Sequence, residues 1–169
     1  MEHLKAGIAL GSNVGNRLDH LRQARERLRP LHEGAAEDFL ISPIFETEPV
    51  GCAPGTAAFL NAVVELETDR PPLDLLNATQ TIEHALGRPD LRPKNSPRSI
   101  DIDLLYIGDH RVNTDRLILP HPRLLERRFV LEPLAVISGD RDFGFGPVSA
   151  LLAKLKSEEA PPVLWKEDW

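Results

Sequence analysis

Two aspartates stand one residue apart in Ser99-Ile100-Asp101-Ile102-Asp103-Leu104-Leu105-Tyr106. The apolar residues around them read as a strand over residues 99–107. Strand side chains alternate between faces, so both carboxylates point the same way, with Cα atoms about 6.5–7 Å apart from a rise of ~3.3 Å per residue. Two carboxylates on one face of an apolar strand repel each other and lose hydration, and a divalent cation offsets both penalties. Magnesium suits such a setting. It takes one or two carboxylates, keeps waters, and draws its other ligands from substrate phosphates. Taken alone, the pair is equally compatible with the solvated face of an edge strand. Arg88, Arg92, Lys94 and Arg98 shift that balance, because they crowd the stretch just before Asp101. Guanidinium groups beside a metal dyad are what polyphosphate transfer requires: they neutralise the charge on the transferred and leaving groups.

Other candidates surround the pair. Gln80 and Glu83 sit one helical turn apart and by pattern alone are surface residues, within reach of a nucleotide at the helix end. His121 lies between Pro120 and Pro122, which hold it in an extended segment where it can donate to a phosphate. Gly11-Ser12-Asn13-Val14-Gly15 joins a strand to a helix but lacks the Lys-Ser/Thr ending of a nucleotide-cradling loop. It reads as a tight turn lining a site.

The elements that must position these residues are legible as alternation and periodicity. Residues 6–10 form a first strand. Asn16 caps a helix carrying Leu18, Leu21, Leu28 and Leu31 at helical spacing, which ends near Pro30. Residues 39–45 are a second strand, and 47–58 a loop rich in Pro and Gly. Residues 59–68 are a third strand, with Ala62, Val64 and Leu66 on one face and Asn61, Val63, Glu65 and Glu67 on the other. Pro71-Pro72 opens a helix with an apolar stripe of Leu75, Leu76, Thr79, Ile82 and Leu86, stopped by Gly87. After the 99–107 strand, a turn at Gly108-Asp109 leads into a short strand at 111–113, as in a hairpin. Residues 124–137 are helical in part, interrupted by Pro133, and 149–156 form a last helix. The order β-α-β-β-α-β implies an α+β fold, a ferredoxin-like α/β sandwich with helices packed on a mainly antiparallel sheet. No boundary divides the chain, so residues 1–169 read as one domain.

Bulk properties narrow the function classes. A chain of 169 residues suffices for one core, and a net charge of −6 argues against a general nucleic-acid binder. One cysteine, Cys52, excludes an internal disulfide and a cysteine-only metal site, and fits a reducing compartment. The start Met-Glu-His-Leu-Lys does not read as a signal peptide, and no apolar run approaches the ~20 residues of a membrane span. A cytoplasmic protein without membrane or nucleic-acid partners is the expectation. The 15 prolines cluster in residues 43–54, 89–97 and 120–133, which implies fixed, irregular loops.

At these residues the chain resembles the 6-hydroxymethyl-7,8-dihydropterin pyrophosphokinases. The resemblance rests on Ala9-Leu10-Gly11-Ser12-Asn13, Phe45-Glu46-Thr47-Glu48-Pro49-Val50-Gly51, Phe59-Leu60-Asn61-Ala62, Thr81-Ile82-Glu83, Pro97-Arg98-Ser99-Ile100-Asp101-Ile102-Asp103-Leu104-Leu105 and Leu119-Pro120-His121-Pro122, in that order. It runs from about residue 7 to 137. It implies transfer of the β,γ-pyrophosphoryl group of ATP to the hydroxymethyl oxygen of the pterin, with AMP released, in folate biosynthesis. By the same resemblance, two Mg2+ ions sit on Asp101 and Asp103, and Arg88 and Arg98 steady the transferring group. Arg116, His121 and Arg127 contact phosphates, and Gln80 and Glu83 face the nucleotide. The pterin lies between Phe59 and Phe129, its edge read by Asn61 and by the backbone of Thr47 and Val50. A flat heterocycle stacks well between aromatic faces, and a carboxamide offers both donors and an acceptor. Nothing in this pattern demands more than a monomer.

The chain departs from the family at Ser96, where a glycine or alanine is usual, and at Asn95, where an aromatic residue is frequent. Both bear on how the 88–98 loop closes over ATP. Two other readings fit the residues alone. One is another two-metal nucleotidyltransferase or nuclease, against which the acidic charge weighs. The other is a nucleotide- or pterin-binding protein without catalysis, against which the dyad and both arginines weigh.

Overall fold

The computed structural model describes residues 3–48, 57–87, 99–155 and 161–169. In chain order the elements are β1 (Leu4–Ser12), α1 (Arg17–Leu28), β2 (Leu40–Ile41), β3 (Ile44–Thr47), β4 (Phe59–Thr68), α2 (Pro72–Ala85), β5 (Asp101–Ile107), β6 (Val112–Asn113), β7 (Ile118–Leu119), α3 (Arg128–Ser138), α4 (Val148–Lys154) and β8 (Val163–Lys166). The main sheet runs β5-β1-β4-β3-β8, with β2 also on β4, and every pairing is antiparallel. Its first four positions hold the strands of the expected β-α-β-β-α-β unit in the order fourth, first, third, second. The α+β sandwich expected from the sequence is therefore the fold.

The two faces of the sheet bury different sets. Ala6, Ile8 and Leu10 of β1 and Ala62, Val64 and Leu66 of β4 point toward α1 and α2, which contribute Leu21, Ala24, Leu28, Leu75 and Ile82. On the other face Val63, Leu105 and Tyr106 pack under Val130, Leu131 and Leu134 of α3. Each fully buried Leu or Ile contributes about 1.5–3 kcal/mol over its exposed state, so the helices on both faces hold the sheet in place. α1 begins as its sequence implies: the Asn16 side chain accepts the Asp19 N–H at 3.0 Å. α2 ends at a left-handed Gly87 (φ 95°), a conformation that glycine adopts at little cost.

A buried polar cluster sits under α3. Glu65 is only 2% exposed and accepts from the Tyr106 hydroxyl and, at 2.8 Å, from the Ser138 hydroxyl. Burial and the neighbouring Glu65 carboxylate push the Tyr106 hydroxyl well above the ordinary tyrosine range, so it stays a donor. Arg141 stacks over its ring at 4.2 Å.

The structure corrects several expectations. The strand expected over 39–45 is two short strands, because Pro43 has no N–H to give the ladder; the Ser42 hydroxyl instead accepts the Val63 N–H at 2.8 Å. The aspartate strand begins at Asp101, two residues later than expected. Residues after the Gly108 turn do not fold back on β5. β6 pairs with β7 in a separate ladder, because the outer edge of β5 is already occupied, as described below. Pro133 lies inside α3 and does not interrupt it; the loss of one helical donor is tolerated where the ring is buried against the sheet. β8, alongside β3, was not expected at all.

Candidate active site

Strand register assembles the site from residues far apart in sequence. Phe45 pairs with Asn61, Asn61 with Gly11, and Gly11 with Asp101, so these four form one row across β3, β4, β1 and β5. The next row on the same face is Val63, Ala9 and Asp103. Residues in one row share a face, and so do residues two apart along a strand. Asp101, Asp103, Asn61 and Phe59 therefore all lie on the α3 face, and both aspartates are half-buried between buried Ile100, Ile102 and Leu104. The alternation expected from the sequence holds.

A bulge shapes the end of this strand. Leu104 pairs with Ile8 and Tyr106 with Gly7, which leaves Leu105 as an extra residue. Its carbonyl turns to the outer edge of β5 and accepts the His121 N–H at 2.8 Å. This contact draws the 119–122 segment, with its cis Leu119–Pro120 bond, alongside the aspartates. Burial, aided by Arg127 and Arg123, holds the His121 imidazole below the usual histidine range, while the Asp101 carboxylate opposes them. His121 Nδ1 accepts the Arg123 N–H at 3.1 Å, so the neutral ring carries its proton on Nε2.

The same outer edge is pinned from α2. Glu83, read from its pattern as a surface residue, is 7% exposed, and its carboxylate accepts the Ile102 N–H at 2.8 Å. That amide lies between the two aspartates. Gln80 is exposed one turn earlier, and Arg116 donates to Asn77 Oδ1 at 2.6 Å and to Gln80 Oε1 at 3.4 Å. A cleft of about 590 Å³ opens here, bounded by Gln80 and Glu83, by Asp103, by Arg116, and by His121.

On the other side of Gly11, Asn61 is buried and its Nδ2 donates to Thr47 Oγ1 at 2.6 Å. Phe59 and Phe129 are half-buried on this face. Phe129 lies in the first turn of α3, and the Arg127 guanidinium lies 5.5 Å from its ring. Of the expected site residues, Val50, Arg88 and Arg98 lie outside the described residues, as do Asn95 and Ser96.

Arg17, and Asn13 from the turn expected to line a site, hold the segment that leads into β4. Arg17 donates to Glu46 Oε2 at 2.9 Å and to the Ala58 carbonyl at 2.8 Å, and Asn13 Nδ2 donates to the Ala57 carbonyl at 3.2 Å. No local pattern singles them out, since each acts across a turn on a segment more than forty residues away in most of these contacts.

The donor set fits a hard cation. Two carboxylates share one face of β5, with Asp103 at the cleft, and among the described residues no cluster of three or more His, Cys, Asp or Glu forms a full protein cage. Magnesium needs no cage where phosphate oxygens and waters complete its shell. No described helix is long and apolar enough to cross a membrane.

The chain is similar to known proteins in sequence and in fold. The family model described as 7,8-dihydro-6-hydroxymethylpterin-pyrophosphokinase matches residues 7–139. The 2-amino-4-hydroxy-6-hydroxymethyldihydropteridine pyrophosphokinase of Bacillus subtilis (strain 168) is 47% identical over 133 residues, covering 78% of this chain and 77% of that protein. The folate synthesis bifunctional protein of Arabidopsis thaliana is 40% identical over 135 residues, 80% of this chain but only 27% of that longer protein. Among solved structures, wild-type Plasmodium falciparum HPPK-DHPS with pterin and p-hydroxybenzoate superposes with a TM-score of 0.67 over 90% of this chain and 43% of that one. At 14% identity that likeness speaks to the fold alone.

Proposed function

This chain belongs to the 7,8-dihydro-6-hydroxymethylpterin-pyrophosphokinase family and is a pyrophosphokinase of folate synthesis, and on that premise we propose how its residues divide the work. The hydroxymethyl oxygen of the pterin attacks the β-phosphorus of ATP, the bond from that phosphorus to the α-phosphate oxygen breaks, AMP leaves, and the hydroxyl proton passes to solvent. Phosphoryl-type transfer asks little covalent help of a protein; positioning and charge neutralisation dominate.

Asp101 and Asp103 hold two Mg2+ ions, which supply charge neutralisation on the phosphates and a lowered hydroxyl pKa. Neutral His121 donates Nε2–H to a phosphate oxygen, a role its fixed tautomer suits. Arg116, at the cleft, and Arg127, close enough to His121 to act on its charge, add positive charge for the phosphates, and Arg88 and Arg98 steady the transferred group. Gln80 faces the nucleotide, while Glu83 reaches it through the strand it holds. Phe59 and Phe129 stack on the pterin; Asn61, with the backbone of Thr47 and Val50, reads its edge. The protein works in the cytoplasm as a monomer.

The observation that carries this reading is the row Asn61–Gly11–Asp101. With strands ~4.8 Å apart, it sets the pterin-reading group about 10 Å from the metal-binding group on one face. A bicyclic ring with a one-carbon arm spans that interval. The test is AMP release from ATP, with and without 6-hydroxymethyl-7,8-dihydropterin and Mg2+. AMP should form only when all three are present, and Asp101→Ala and Asp103→Ala should each abolish it while the thermal midpoint stays near wild type. Near-normal turnover in either variant defeats the assignment of the dyad.

A further inference from the structure

Three glycines and alanines of β1 face α3: Gly7, Ala9 and Gly11. Glycine inside a strand weakens it, and its usual reason is a special backbone angle or a close approach. Gly7 and Gly11 both lack a left-handed angle, so each is explained by what approaches it. At Gly7 the answer is the Tyr106 ring, into which a Cβ would run. At Gly11 the nearest atoms to an added Cβ are Asn61 Oδ1 at 3.1 Å and Phe59 Cδ1 at 3.7 Å. Both residues belong to the pterin side of the site.

Asn61 has little room to yield. It is buried, and its other amide atom is tied to Thr47 Oγ1 at 2.6 Å. That bond turns Oδ1 over Gly11, toward the β5 side of the sheet. A side chain at position 11 must therefore either stretch the Thr47 bond or rotate the carboxamide. We propose that Gly11 is a positioning residue for pterin recognition: its bare Cα lets the Asn61 carboxamide lie down on β1 beside the Phe59 ring, with Oδ1 presented as the acceptor for the N–H groups of a flat heterocycle. The inference rests on the proposed pterin role of Asn61, and its glycine serves the pocket where Gly7 serves the core.

The test is a double-mutant cycle on the whole protein, with pterin and ATP KM, kcat and the thermal midpoint measured for wild type, Gly11→Ala, Asn61→Ala and the double variant. Gly11→Ala should fold with an unchanged or raised midpoint and an unchanged ATP KM. Its pterin KM should rise about tenfold or more, within the roughly 10–200-fold that one misplaced methylene commands in a tight pocket. Acting through Asn61, the substitution should add little to Asn61→Ala, so the two effects on pterin KM are far from multiplicative. Three results overturn the inference: an unaltered pterin KM, independent multiplying effects of the two substitutions, or a Gly11→Ala protein that does not fold, which would make the glycine a requirement of the strand. If wild type itself shows no pterin-dependent AMP release, the proposed function falls first and is recognised separately.

Discussion

Glu83 joins the fold to the chemistry, and removing its side chain should damage both in proportions that the structure sets. Its carboxylate accepts the Ile102 N–H at 2.8 Å on the outer edge of β5, where no described strand pairs to take that donor. Glu83→Ala leaves the amide unsatisfied in a buried position, a loss of about 1–3 kcal/mol. For a chain of this size each kcal/mol lowers the thermal midpoint by about 2–4 °C, so a drop of about 2–12 °C is expected. Ile102 lies between Asp101 and Asp103, and a shift of its backbone moves both carboxylates. Misplacement by ~1 Å costs about 100-fold in a well-oriented reaction, so AMP formation should fall about 10–100-fold. Glu83→Gln keeps an acceptor in place and gives up only the charge-assisted part of the bond, so it should hold most of the stability and activity. The assays are thermal unfolding and pterin-dependent AMP release on the two variants. The reasoning fails if Glu83→Ala melts like wild type, or if Glu83→Gln is as impaired as Glu83→Ala. The second outcome would mean that the negative charge itself, and not the pinned strand, is what the site uses.

The other predictions concern groups around this strand. Burial with Arg127 and Arg123 lowers the His121 pKa in the fold, so the unfolded chain takes up that proton first as pH falls. The resulting stability is in place above the ordinary histidine value of ~6.5 and is lost as pH drops through the folded-state pKa. Denaturant unfolding between about pH 7.5 and about pH 5 should show wild type losing more stability than His121→Gln, and parallel losses would contradict the assignment. Tyr106→Phe removes a donor from buried Glu65, leaving the Ser138 hydroxyl at 2.8 Å. It should reduce the unfolding free energy by about 1–3 kcal/mol while ATP and pterin KM stay put. A changed pterin KM would mean that the α3 cluster reaches into the site.

The parts of this structure that could be read from the sequence are those whose pattern is complete within a few residues. β4 shows unbroken alternation from Phe59 to Thr68 and sits where it was expected. α2 is bracketed by Pro71-Pro72 and Gly87, and Asn16 announces α1. The shared face of Asp101 and Asp103 follows from the same alternation. The bulge at Leu105 left no such trace. Leu104-Leu105-Tyr106-Ile107 is apolar throughout, so a residue inserted there breaks no visible pattern. β8 is short and finds its partner β3 more than a hundred residues earlier, a pairing that local propensity does not encode. Glu83 looked like a surface acid because its partner is a backbone amide, which has no residue type. The Asn61–Gly11–Asp101 row was hidden for a related reason. Each residue was legible alone, but their order across the sheet is a matter of register, set by bulges and packed faces together.

Register also explains why the site lies where it does. α3 covers its face of the sheet through Val130, Leu131 and Leu134, which meet Val63, Leu105 and Tyr106. Extending that cover over the row of Asn61 and Asp101 would take the Asp101 carboxylate further out of water, and desolvating a charge costs several kcal/mol. The helix instead begins at Arg128, with Arg127 as its capping residue and Phe129 in its first turn. Apolar burial ends there, and Asp101 is left half-buried next to Asp103, which borders the cleft with His121 and Glu83. The boundary between a stable core and a reactive surface thus falls within one face of one sheet, with Val63 and Asp103 on opposite sides of it in the same row. A strand that must serve both sides of that boundary needs its register held from outside. The Glu83 carboxylate on the Ile102 amide and the His121 amide on the Leu105 carbonyl provide that hold, one on each side of Asp103.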